Sequence, residues 1–126
     1  MNNRTQQRCI HFSRTLWLIC LTFVSVGSVL PGTGHFQPII GSDKLLHLIS
    51  YAGLALLQPL FLKEERRLLR WALLLVLWGI LLEGVQGLVP NRTPSFWDFI
   101  ANTTGVMLGT WAGRRIRRRL YRTTPS

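Results

Sequence analysis

The feature that most constrains this chain is the segregation of its charges. Long apolar runs nearly bare of charge alternate with short segments in which lysine and arginine gather. A soluble domain spreads charge over all its exposed faces, so this pattern reads as sorting by depth in a bilayer. The totals agree, with 126 residues, 48% of them hydrophobic, and a net charge of +10. That is too oily for an ordinary strongly charged soluble protein, and the length leaves room for one domain.

The runs predict four helices. The first covers 16–30 and, with Phe12 and Ser13, reaches the length needed to cross a hydrocarbon layer. The second covers 44–62, with Ser42 and Asp43 as cap and first-turn charge and Pro59 kinking or stopping its far end. The third covers 68–89 and ends at Pro90, and the fourth covers 95–113. Short connections make neighbours antiparallel. The expected fold is therefore all-α, an integral membrane bundle of four transmembrane helices, with a basic arm at 1–15, the helical domain at 16–113 and an arginine-rich tail at 114–126. Pro31, Gly32, Gly34, Pro38 and Gly41 break the chain into a loop after the first helix, where His35 reads as solvated. A cleaved signal peptide is the competing reading of the first run, because arginines precede it and Ser25-Val26-Gly27 offers small residues at cleavage spacing.

Basic residues orient the bundle. The arm carries three, the 63–70 link four and the tail six, against only Lys44 and Arg92 in the other connections. Both termini are expected to be cytoplasmic. Trp17, Trp71 and Trp111 at inner ends and Trp97 at an outer end fit interfacial belts. The tail arginines (Arg114, Arg115, Arg117, Arg118, Arg119, Arg122) could suggest nucleic acid, but a cluster directly after an apolar helix serves to hold that end in place and attract anionic headgroups. Membrane lipids, not nucleic acid, are the expected partners. Cys9 and Cys20 lie eleven positions apart along one helix and its approach, about 16 Å in rise, too far for a disulfide.

Within 82–109, two apolar helices meet at a polar hairpin and carry charge inward. Such residues are expensive in lipid and mark function by default. Spacing gathers them into stripes: Asp43, His47 and Tyr51; Gly79, Glu83 and Gly87; Asp98, Asn102, Gly105 and Gly109. Rise per residue puts Glu83 about 9 Å below the end of its helix, level with Tyr51 and Asn102, with Asp43, Lys44, His47, Gln86, Arg92 and Asp98 nearer the rim. The three stripes predict one shared outward pocket. Asp98 could equally cap the fourth helix, since Ser95 to Asp98 has capping-box spacing. Glu83 has no such local explanation. Arg92 is expected to pair with Glu83 or Asp98, or to meet an external anion. Gly105, Gly109 and Gly113 allow another helix to approach closely, which serves internal packing and would equally serve a homodimer. A divalent metal held by Asp43, His47, Glu83 and Asp98 is allowed by this geometry, but one histidine among carboxylates has no diagnostic spacing. No metal and no cofactor are expected. Asn91-Arg92-Thr93 matches a glycosylation sequon but hugs the bilayer and is discounted.

At these residues the chain resembles the VanZ-like membrane family. The resemblance rests on Asp43-Lys44-Leu45-Leu46-His47 with Tyr51 and Gly53, then Glu83 with Gln86, then Pro90, Arg92-Thr93, Ser95, Asp98, Asn102, Gly105 and Gly109. It implies a four-helix protein of the bacterial plasma membrane with a role in the cell envelope, the family's namesake being associated with resistance to the glycopeptide teicoplanin. It implies no settled chemistry. The leading expectation is a multi-pass membrane protein, non-enzymatic or with no demonstrable enzymatic activity, whose pocket binds an envelope lipid, precursor or glycopeptide. The alternatives are an acid–base enzyme on a lipid-linked substrate, for which no nucleophile motif is visible, and a small proton-coupled transporter.

Overall fold

The computed structural model describes residues 3–31 and 42–121. The 32–41 loop with His35, the side chain of Ser42 and the end of the tail with Arg122 lie outside the described residues. Within them the chain is all-helical, with four helices: α1 (Asn3–Val29), α2 (Ser42–Phe61), α3 (Glu65–Gln86) and α4 (Phe96–Tyr121). Three of them, α1 to α3, are long and apolar enough to cross a membrane. α4 does not reach that apolarity, because Asn102, Thr103 and Thr104 interrupt it and arginines fill its last turns.

Helix boundaries differ from expectation where polar residues extend a helix without needing lipid. α1 begins at Asn3, so the basic arm is helical from Asn3 onward. α4 continues eight residues past Gly113, so most of the tail is helix with Arg118 and Arg119 in its last turn, where positive charge favours the helix dipole. α3 starts at Glu65 and stops at Gln86, three residues short of Val89, with Gly87 as its C-cap. A turn through Asn91, held at φ 61, returns the chain to α4. Pro59 sits inside α2 and does not stop it, although only two residues follow it in the helix.

α2 and α4 form the central pair. They run parallel, and the α4 glycines make their contact. A Cβ on Gly105 would stand 2.5 Å from the Leu48 carbonyl oxygen, and one on Gly109 or Gly113 would run into the carbonyl oxygen of Ala52 or Leu56. No larger residue fits that seam. The small-residue stripe is thus spent on α2, backbone against backbone. Tyr51, Leu54, Ala55 and Val106 are buried along the same pair, joined from α1 and α3 by Trp17 and Leu75.

α1 and α3 cover this pair. Trp17 is 5% exposed, a core residue and not an interfacial one, with its ring edge-on to Phe61 and Trp71. Trp71, Trp97 and Trp111 are exposed as an interfacial belt requires. Trp78 Nε1 donates to Ser25 Oγ at 2.9 Å, fastening α3 to α1. Both cysteines are free.

Candidate functional site

The site is built at the end of the bundle where α2 and α4 begin and α3 finishes. Asp43, Lys44, His47 and Tyr51 occupy the first turns of α2, and Asp98 and Asn102 those of α4. Because the two helices are parallel and in glycine contact, residues at equal height face each other. Asn102 Oδ1 lies 3.1 Å from His47 Nδ1. The amide oxygen can only accept, so Nδ1 is the donor and Nε2 points away from it. Nε2 faces two carboxylates, Asp43 Oδ1 at 3.9 Å and Asp98 Oδ2 at 4.0 Å. Lys44 Nζ stands 3.6 Å from Asp98 Oδ1.

Asp98 is only 2% exposed, and among the described residues its Oδ1 receives no hydrogen bond. The reason it points inward lies on α3. Glu83 Oε1 accepts the Ser95 backbone N–H at 2.6 Å, while Ser95 Oγ accepts the N–H of Trp97 at 3.3 Å. In a capping box the acidic residue three places into the helix would take that first N–H. Here Glu83 takes it from the neighbouring helix, and Asp98 is released toward α2. The spacing from Ser95 to Asp98 is therefore not used as a box, and Glu83 has a structural task that its sequence position does not reveal. It also lies three residues from the end of α3, about 4.5 Å of rise and nearer the rim than expected.

Gly79 completes the floor. A Cβ there would lie 3.1 Å from the Tyr51 hydroxyl and 3.2 Å from Asn102 Nδ2, so its missing side chain is the space these two groups use. Gln86 is buried on α3. The predicted stripes do converge, but as a packed polar knot between α2 and α4. The open space lies beside it. A cleft of about 450 Å³ is lined by Ile80, Glu83, Gly84, Pro94, Phe96 and Phe99, together with Ser95. A concavity of similar size, about 470 Å³, is formed by α1 residues between Leu18 and Leu30 alone and is an apolar outer flank without a polar group of the knot.

Arg92 does not join the knot. Its Nη2 lies 3.4 Å from the Gly27 carbonyl near the C-terminus of α1, and among the described residues no ion pair links it to Glu83 or Asp98. A cation satisfies the free carbonyls of a helix end, and this ties the α3–α4 turn to α1.

Two further residues escape sequence reasoning. Arg117 Nη1 donates to the Leu62 carbonyl at 2.8 Å and Arg117 Nη2 to Glu65 Oε1 at 2.5 Å, and Arg114 Nη2 binds Glu65 Oε2 at 2.8 Å. In sequence they are two members of an arginine run. Their three-residue spacing, which places both on one helix face, was the available signal.

A family model described as VanZ/LLP1 matches residues 3–117. No curated protein and no solved structure shows a match.

Proposed function

The chain belongs to the VanZ/LLP1 family, and from that premise we propose that it is a multi-pass bacterial plasma-membrane protein that binds an amphiphilic cell-envelope molecule at its polar end. The occupant is an envelope lipid, a lipid-linked precursor or a glycopeptide. Orientation follows from charge: Arg4, Arg8 and Arg14, the 63–70 link and the tail arginines gather at the far end of the bundle, which puts the polar end outside. Helix α4 completes the crossing against α2, with its polar groups turned inward and away from lipid.

The observation that carries the binding reading is the cleft beside Glu83. Its walls are apolar and its polar groups, Glu83 and Ser95, sit together, which suits a ligand with a chain at one end and a head at the other. Ser95 uses its hydroxyl oxygen as a helix cap, a structural task, and this favours binding over turnover.

Gly84 allows a clean test. It lines the cleft, and a Cβ there would meet nothing within 4 Å. Gly84→Leu therefore starts its side chain in open space and directs it into the cleft. Mass spectrometry of lipids retained on purified protein is expected to show one envelope lipid enriched on the wild type and lost from the variant at equal thermal stability. Identical lipid profiles for the two proteins would overturn the reading. In cells, expression of the wild type and not of Gly84→Leu is expected to lower teicoplanin susceptibility, and no change at verified membrane levels removes the glycopeptide as occupant.

A further inference from the structure

Asp43, His47 and Asp98 each offer one ligand atom, and these atoms lie within 4.8 Å of one another. The two distances from His47 Nε2, 3.9 and 4.0 Å, are too long for hydrogen bonds and too short for an intervening water. They suit an ion between the groups. A metal about 2.1 Å from each ligand in tetrahedral geometry holds its ligands about 3.4 Å apart, so the two imidazole–carboxylate distances need close by only about half an ångström.

Independent support comes from Asp98. Its carboxylate is 3% exposed and, among the described residues, Oδ1 has no hydrogen-bond partner; Oδ1 stands 3.6 Å from the Lys44 ammonium and Oδ2 4.0 Å from the His47 ring. A buried carboxylate in that condition calls for a cation closer than either. His47 is prepared in the way metal-binding imidazoles are. Asn102 Oδ1 accepts a hydrogen bond from Nδ1, which fixes the ring with Nε2 directed at the two carboxylates. Glu83, a near neighbour, is occupied by Ser95 and is not needed.

We infer that Asp43, His47 and Asp98 form a binding site for a divalent transition metal of the zinc or manganese class. One imidazole and two carboxylates favour such an ion over calcium or magnesium, which prefer oxygen alone. Three protein ligands leave at least one position open to a ligand from outside. Lys44 is the built-in competitor. Its side chain is 45% exposed and can swing into water when a metal displaces its ammonium from Asp98. The inference does not depend on what occupies the cleft, because metal binding is measurable with no envelope molecule present.

The test is titration of the full chain, purified in detergent and stripped with chelator, with Zn²⁺ followed by calorimetry and with Co²⁺ followed by visible absorption. One saturable site per chain is expected, with cobalt ligand-field bands and no thiolate charge-transfer band. Asp98→Asn and His47→Asn are expected to weaken binding by at least roughly 100-fold, and Asn102→Ala by roughly 10- to 100-fold. Lys44→Met should bind more tightly than wild type. A His11→Ala, His35→Ala double variant should bind as wild type does. Absence of a saturable site would overturn the inference, as would a cobalt–thiolate band or binding that survives in a folded Asp98→Asn protein. If the ligand variants do not fold, the wild-type cobalt spectrum and the Lys44→Met affinity decide it alone, and an unchanged or weaker Lys44→Met affinity counts against the site.

Discussion

Charged groups gather at both ends of the α2–α4 seam and are used differently. At the arginine end the contacts are short and paired. Arg117 reaches the Leu62 carbonyl at 2.8 Å and shares Glu65 with Arg114, so each carboxylate oxygen meets a guanidinium nitrogen. At the polar end, Lys44, His47, Asp43 and Asp98 stand 3.6 to 4.0 Å apart, and Oδ1 of the most buried of them, Asp98, has no hydrogen bond among the described residues. One end is a fastener, with bonds near their optimal length. The other is held open by the scaffold, which costs stability and which natural proteins accept chiefly where a ligand is bound.

The largest expected effect comes from breaking what both ends share. Gly109→Leu would drive a side chain into the Ala52 backbone and separate α2 from α4. We expect a loss of at least about 3 kcal/mol, read as early thermal unfolding in detergent, with both ends disrupted together. A Gly109→Leu protein as stable as wild type would show that the seam does not set the contrast.

Next is the fastener. Arg117→Ala leaves the Leu62 carbonyl, just past α2, and half of Glu65 without this donor, and is expected to cost about 2 kcal/mol by thermal or denaturant unfolding. Glu83→Gln keeps the shape of the hairpin tie but removes the charge from its bond to the Ser95 N–H. We expect about 1 kcal/mol, together with increased hydrogen exchange at Ser95. The exposed Glu64 to Arg67 pair at 2.8 Å serves as a control, with Glu64→Ala costing less than about 0.5 kcal/mol.

The smallest effect on stability belongs to the residue that matters most to the site. Asp98→Asn removes a buried charge whose Oδ1 has no hydrogen bond among the described residues, and the variant is expected to unfold within about 0.5 kcal/mol of wild type or above it. A loss for Asp98→Asn as large as that for Arg117→Ala would erase the difference between the two ends and turn the polar knot into a second fastener.

Several elements were legible in the sequence for local reasons. Charge segregation gives membrane helices because lipid excludes charge wherever the chain goes, and α1, α2 and α3 carry that signature. The family resemblance at 43–109 is borne out by a match that covers 3–117. Four-residue spacing put Asp43, His47 and Tyr51 on one face of α2, and Asp98, Asn102 and the glycines on one face of α4, because helical period is fixed by the backbone. The same period leaves helix ends free, and so the starts of α1 and α3 and the reach of α4 to Tyr121 differ from expectation where polar residues continue a helix.

What the sequence determined by itself is which groups share a face and which segments lipid will accept, since both follow from covalent geometry and transfer energy residue by residue. Only the tertiary structure decided which groups meet. Arg92 went to the α1 carbonyl at Gly27 and not to a carboxylate, and Glu83 took the cap position that Asp98 was spaced to fill. Arg117 left a run of like arginines to close the end of α2. Each of these pairs is separated by many residues along the chain. Their contact depends on how closely helices approach, and that distance is set here by three glycines on α4 against the bare backbone of α2.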